Sequence, residues 1–271
     1  MSAKEKPLLA IYVEGETKTG KGAASEAIAT ALKLQGVAVY FDVAGDFFRR
    51  FTAIIRRELD LSPSAPLPDR ERLAEIATEL YKNRKAFAID PSLGDLQRPE
   101  ISNCVSQLGE LPIAQEAAID WYEQSVVQAR QAEADVLVLD GRNPRHHVEA
   151  LNQDVVTILD IYMICEPTVA AERVLLSAGN SQPTDQQLRP IIDNITNRRA
   201  LDRQRPEWPF WWPEQHLAFT PGQDSVDQAI SATHLTAADS PLPLVIDNSH
   251  VPKQMMWDAV EALALAAYNG R

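Results

Sequence analysis

Leu8-Leu-Ala-Ile-Tyr-Val13-Glu14-Gly15-Glu-Thr-Lys-Thr-Gly20-Lys21-Gly22 is the stretch that decides how this chain folds. Leu8 to Val13 is an unbroken apolar run, the pattern of a strand buried on both faces. From Lys21 to Leu34 the pattern switches to helical spacing, with Ala24, Ile28, Ala31 and Leu32 on one side and Gly36 as a stop. Between them lies G-x4-G-K. Glycines let a backbone curl so that successive N–H groups point inward at an anion. The helix N-terminus adds positive partial charge, and a lysine supplies a mobile point charge. A strand, a glycine-bearing loop and a helix in this order predict a cradle for the phosphates of a nucleoside triphosphate. Gly15, Lys18, Thr19, Gly20, Lys21, Gly22 and Ala23 are its candidate residues. Gly22 stands where a hydroxyl commonly faces Mg²⁺.

Outward from the loop, strands alternate with helices. Val37 to Phe41, Val136 to Asp140, Thr157 to Ile164 and Leu244 to Asp247 read as further strands. Helices are predicted at Asp46 to Leu59, Asp69 to Lys85, Ile101 to Leu111, Ile113 to Ala132, Thr168 to Ser177, Gln186 to Gln204 and Lys253 to Tyr268. Ala86 to Glu100 is irregular, with at most a short strand over Ala86 to Ile89. The alternation predicts an α/β protein with a mostly parallel sheet covered on both faces.

The 271 residues carry a formal charge of −12 at pH 7 and are 45% apolar. That balance supports a sizeable core and excludes broad attraction to nucleic acid polymers or anionic membranes, which requires a basic face. Cys104 and Cys165 lack metal-ligand spacing and read as reduced, buried thiols. No apolar run reaches membrane-spanning length, so the expectation is a cytoplasmic protein.

Several later segments are similar to those of the cytidylate kinases, P-loop kinases of nucleoside monophosphates. Glu100-Ile-Ser-Asn-Cys-Val-Ser106-Gln, followed by Leu111-Pro112 and Gln115-Glu-Ala117, resembles that family's E-V-S-N-x-x-S-x…P-x-x-R-E-A segment. Val138-Leu-Asp140-Gly141-Arg142 resembles its D-G-R-D turn. Arg198, Asp202 and Arg205 match its R-x-x-x-D-x-x-R helix, and Leu244-Val-Ile-Asp247-Asn-Ser its final strand. Pro206 to Ser240 has no counterpart there.

The resemblance implies a three-layer P-loop kinase fold with a parallel five-stranded core. Residues 1–271 would form a single domain, with the core at 1–60 and 133–271, a helical substrate-binding insert at about 61–132 and a short lid at about 174–190. It implies transfer of the terminal phosphoryl of ATP to CMP, dCMP or a related acceptor, with Mg²⁺, in a monomer or homodimer. Lys21, Arg142, Arg198 and Arg205 would stabilise charge during transfer. Arg49, Ser106, Gln115, Arg142, Asp202 and Arg205 would hold the acceptor, and Asp140 would hold Mg²⁺ through water. From spacing alone, Arg198–Asp202–Arg205 reads equally as a surface ion-pair ladder, and Asp140 as a turn aspartate.

The chain departs from the family at specific positions. Glu16-Thr-Lys-Thr19 replaces a Pro- and Gly-containing loop interior, and Ala23 follows Gly22 where a Thr is common. Gln115 replaces an arginine, and Asn143 an aspartate. Val174-Leu-Leu176 follows Arg173 where lid arginines are usual. Two other readings therefore stay open: a nucleotide-binding protein without catalysis that acts through a partner, and a P-loop kinase for a small non-nucleotide metabolite. Trp208, Trp211 and Trp212 in the Pro206 to Pro213 stretch read as a packing segment or interface.

Overall fold

The computed structural model describes residues 6–62, 65–96, 98–102, 104–151, 154–204, 216–234 and 241–270. In chain order its elements are β1 (Leu8–Gly15), α1 (Lys21–Leu34), β2 (Val39–Val43), α2 (Ala44–Glu58), α3 (Arg70–Lys82), α4 (Pro99–Ser102), α5 (Val105–Gly109), α6 (Pro112–Gln131), β3 (Val136–Asp140), α7 (Pro144–Ala150), β4 (Val155–Ile164), α8 (Pro167–Ser177), α9 (Asp185–Gln204), β5 (Leu217–Phe219), α10 (Val226–His234), β6 (Leu244–Asp247) and α11 (Lys253–Asn269). Two compact units emerge from its contacts. One joins residues 1–42 to 128–271, and the other is 43–127.

The first unit is built on a six-stranded parallel sheet in the order β2-β3-β1-β4-β6-β5. β1 sits between β3 and β4, in register with both: Val13 lies beside Asp140 on one side and Ile161 on the other. The chain leaves β1 through α1 toward β2 and β3, and later strands build outward on the opposite side. The carboxyl end of β1 is therefore a topological switch point, where open α/β sheets form a crevice.

Alternation along β1 divides the two faces. Ile11 and Val13 join Ile28 and Leu32 of α1, Val138 of β3, and Val260 and Leu263 of α11 in one apolar cluster. Ile28 and Leu32 are wholly buried. Each such side chain contributes about 1.5–3 kcal/mol of transfer free energy, which fixes α1 against the sheet. Tyr12 and Glu14 point to the other face, where α7 packs on β1 and β4.

The α/β class and parallel sheet follow the sequence expectation, with six strands rather than five. The added strand, β5, pairs with β6 and falls inside the Pro206 to Ser240 stretch. Three residues are too few for a period of two to show in sequence. Three smaller expectations also change. Ala86 to Ile89 forms no strand; a 3₁₀ turn at Lys85–Phe87 follows Arg84, whose φ of +57° breaks the chain direction. Ile101 to Leu111 is two short helices instead of one. His146 and His147 lie on α7, a helix too short to carry a visible period.

The second unit closes around aromatic rings. Phe47 of α2 stacks on Trp121 of α6 at 6.1 Å and lies 5.6 Å from Phe87. Arg84 pairs with Asp120 at 2.8 Å beneath the Tyr81 and Phe87 rings. Buried Arg56 donates to the carbonyls of Ser62 and Ala65, holding the turn after α2. Among the described residues no helix is long and apolar enough to cross a membrane.

Candidate functional site

The loop after β1 has a backbone that its sequence enforces. Gly15 has φ +147°, and a Cβ there would lie 2.2 Å from the Met163 carbonyl oxygen of β4, so only glycine fits. Gly20 has φ +88° and begins α1 without any side chain capping the helix. The first-turn amides of α1 are thus left to the loop's own concavity, an arrangement suited to an anion. Lys18, exposed at the apex, adopts φ +63°, which costs a non-glycine residue about 1 kcal/mol or more.

That conformation is held from outside. The Glu16 amide donates to Met163 O at 3.0 Å, and Thr19 Oγ1 donates to Glu16 O at 2.9 Å. Arg199 of α9 pairs with the Glu16 carboxylate at 2.8 Å, and the two side chains are 8% and 6% exposed. The same guanidinium donates to Thr17 O at 3.1 Å and Cys165 O at 2.7 Å. Asn248, just past β6, donates to Thr19 O at 2.5 Å. Loop carbonyls are therefore drawn outward by fixed donors. Arg173 braces Asn248 in turn, donating to its Oδ1 at 3.1 Å and its carbonyl at 2.7 Å.

Charged groups gather at the loop's inner side. Half-buried Lys21 opens α1, with Nζ 3.4 Å from Glu16 O. Asp140 ends β3, buried, with its carboxylate over the first turn of α1; a Cβ on Gly22 would sit 3.7 Å from Asp140 Oδ2. Arg142 follows two residues later, half-buried. The Glu14 carboxyl is enclosed although part of its side chain meets solvent, and burial raises its pKa to about 7. The Asn143 amide, Arg142 and Lys21 oppose that rise, and Asp160 adds to it. Lys21, Arg142 and Glu14 thus act on one another electrostatically across the strand ends.

Beneath Glu14 lies a polar layer. Asp160 of β4, buried, has its pKa raised to about 6 by burial, against the opposing charge of Arg145. Arg145 of α7 donates to Asp160 at 3.1 Å, to Glu149 at 2.9 Å and to Pro241 O at 2.7 Å. Thr157 reaches Glu149 at 3.2 Å. Burial drives the Tyr12 phenol well above its ordinary range.

The sequence-predicted residues fall into three groups. Gly15, Lys18, Thr19, Gly20, Lys21, Gly22, Ala23, Asp140 and Arg142 share the strand ends of the first unit. Arg198 is half-buried on α9, next to Arg199, and it is Arg199 that engages the loop. In the second unit, Arg49 pairs with Asp46 at 2.6 Å, and buried Gln115 donates to Gly109 O at 3.3 Å. Arg205 and the side chains of Ser106 and Asp202 lie outside the described residues, as does the Trp208 to Trp212 segment.

Sequence reasoning missed Glu16, Arg199, Asn248 and Glu14. A buried acid beside a glycine turn was a visible signal for Glu14; nothing in the chain points from Arg199 to Glu16 across 183 positions. Among the described residues no three His, Cys, Asp or Glu side chains cluster as a metal site. Mg²⁺ here would depend on Asp140, nucleotide oxygens and water, which is how that ion is commonly held. No protein-family model matches the chain, and no curated protein matches it.

Proposed function

We propose that this protein binds a nucleoside triphosphate at residues 15–23 and transfers its terminal phosphoryl group. The observation that carries the reading is Asp140 Oδ2 standing over Gly22, at the start of a helix whose N-terminus no side chain caps. Lys21 supplies charge for the terminal phosphates, and the α1 amides hold the anion. Asp140 would hold Mg²⁺, which neutralises charge on the phosphates when bound. Arg142, beside this group, stabilises charge on the transferring phosphoryl, with Arg198 as the further candidate from α9.

ATP is the donor this reading favours, in a cytoplasmic setting. The likeness to cytidylate kinases offers a nucleoside monophosphate such as CMP or dCMP as acceptor. The test is ADP release measured over a panel of acceptors, with ATP binding followed separately by calorimetry. Acceptor-dependent ADP release that disappears in Lys21→Ala supports the reading. Intact turnover in that variant defeats the loop assignment.

Specific observations favour a second reading, nucleotide binding without turnover. Gly22 brings no hydroxyl to Asp140. Arg173, the arginine nearest the lid position, donates to the carbonyls of residues 248, 249 and 251. It predicts calorimetric binding of ATP with no ADP released by any acceptor.

A further inference from the structure

Glu14 is the ionisable group at this site that the reading above leaves without a task. It is the last side chain of β1 before Gly15, on the face opposite Val13. The Asn143 amide fixes it, Lys21 and Arg142 act on it, and Asp160 lies behind it. A carboxylate in that place suits some acceptors and not others. A phosphomonoester reaches neutral pH largely dianionic, because its second pKa is about 6. It has little proton left to lose, and a neighbouring carboxylate repels it. An alcohol is uncharged, and its proton must leave as the new bond forms. The groups assigned to an acceptor phosphate or base are meanwhile engaged elsewhere: Arg49 with Asp46, and Gln115 with the Gly109 carbonyl.

We propose that Glu14 is the proton acceptor of the transfer step, and that the group phosphorylated is the hydroxyl of a neutral alcohol. This rests on the loop binding ATP. The alcohol oxygen bonds to the terminal phosphorus, and the bond from that phosphorus to the bridging oxygen breaks. ADP leaves with the electron pair. The hydroxyl proton passes to the Glu14 carboxylate and then to solvent. A base with a pKa near the working pH is the efficient choice, and burial brings Glu14 to about 7. The ionisable groups around it are Lys21 from α1, Arg142 from the turn after β3, Asp160 from β4, and Arg145 and His147 from α7. Burial, helped by His146, lowers His147 to about 4, so it stays neutral near pH 7. Asp160 titrates about a unit below Glu14.

The experiment measures ADP release by the full chain from about pH 5 to 9. Acceptors are water alone, polyols, sugars and nucleosides, and separately nucleoside monophosphates; ATP binding is followed by calorimetry. Alcohol-dependent release is expected, with kcat rising through about pH 7. Glu14→Gln loses about a hundredfold or more in kcat and that rise, keeps its ATP affinity, and is partly rescued by Glu14→Asp. Retained ATP affinity shows that the variant is folded. The wild-type pH rise is a readout that needs no variant. The proposal is overturned if only monophosphates accept, if ATP binds but neither water nor any alcohol accepts, or if Glu14→Gln stays within about threefold of wild type. Failure of wild type to bind ATP removes the loop reading first, a result the calorimetry shows by itself.

Discussion

The two faces of the sheet at the end of β1 are built from opposite materials. Toward α1 and α11 the face is apolar, and Ile11, Val13, Val138 and Leu263 leave no charge among them. Toward α7 it is polar, with Tyr12, Glu14, Thr157, Asp160 and Arg145 enclosed together. The apolar face fixes α1, and with it the phosphate loop, by area buried. The polar face gains less from packing and holds two carboxylates whose pKa values burial raises. One face therefore positions an anion, and the other keeps a proton acceptor at the same strand end.

The sharpest way to break this contrast is at the hinge between the faces. Gly15→Ala would drive a methyl group to 2.2 Å from the Met163 carbonyl in a backbone with positive φ. A loss of about 3–5 kcal/mol is expected, measured by urea unfolding. A change below about 1 kcal/mol would mean that the loop does not take this path.

Arg199→Met comes next. It strands the buried Glu16 carboxylate, and removal of one partner from such a pair costs about 3–5 kcal/mol. Adding Glu16→Gln should restore much of that. Arg198→Ala, one residue away, should leave stability within about 0.5–1 kcal/mol of wild type while reducing turnover. Equal effects at the two positions would erase the distinction between bracing and contact.

The polar face should declare itself through pH. A carboxyl whose folded pKa is raised contributes stability that is full below its unfolded value. That contribution is lost as pH rises through the folded value. For Asp160 the window runs from about 4 to 6, and for Glu14 from about 4.5 to 7. Stability should therefore fall between about pH 4 and 7.5, by about 2–3 kcal/mol for each group. Glu14→Gln should remove the upper part of that slope. An identical slope in variant and wild type would contradict burial as the cause.

The smallest effect belongs to the apolar side. Gly22→Ser places its Cβ at ordinary contact distance from Asp140 Oδ2 and should not strain α1. It replaces a helical glycine, so a gain of about 0.5 kcal/mol is expected in thermal unfolding. A hydroxyl beside Asp140 should also raise Mg²⁺-dependent turnover, by up to about tenfold, about 1.4 kcal/mol.

What was legible in the sequence follows from range. The strand from Leu8, the glycine turn and the helix from Lys21 are local, and a change of period marks each boundary. Val136 to Asp140, wholly buried, was equally plain. The α7 helix and the β5 strand were not, because neither is long enough to display a period. Lys21, Asp140 and Arg142 could be picked because their roles depend on the strand end they follow. Arg198 was chosen over Arg199 because helical spacing linked it to Asp202 and Arg205. The partner that distinguishes Arg199 is Glu16, and only the fold brings them together. Asn248 was read as part of a final strand, while its amide reaches across to the Thr19 carbonyl.

The most direct measurement is calorimetric titration of ATP with Mg²⁺ into the full chain and into Lys21→Ala. Saturable one-to-one binding to wild type, at least about tenfold weaker in the variant, is the expected result. Equal affinity in the two proteins, or no binding to wild type, would contradict a phosphate cradle at Gly15 to Gly22.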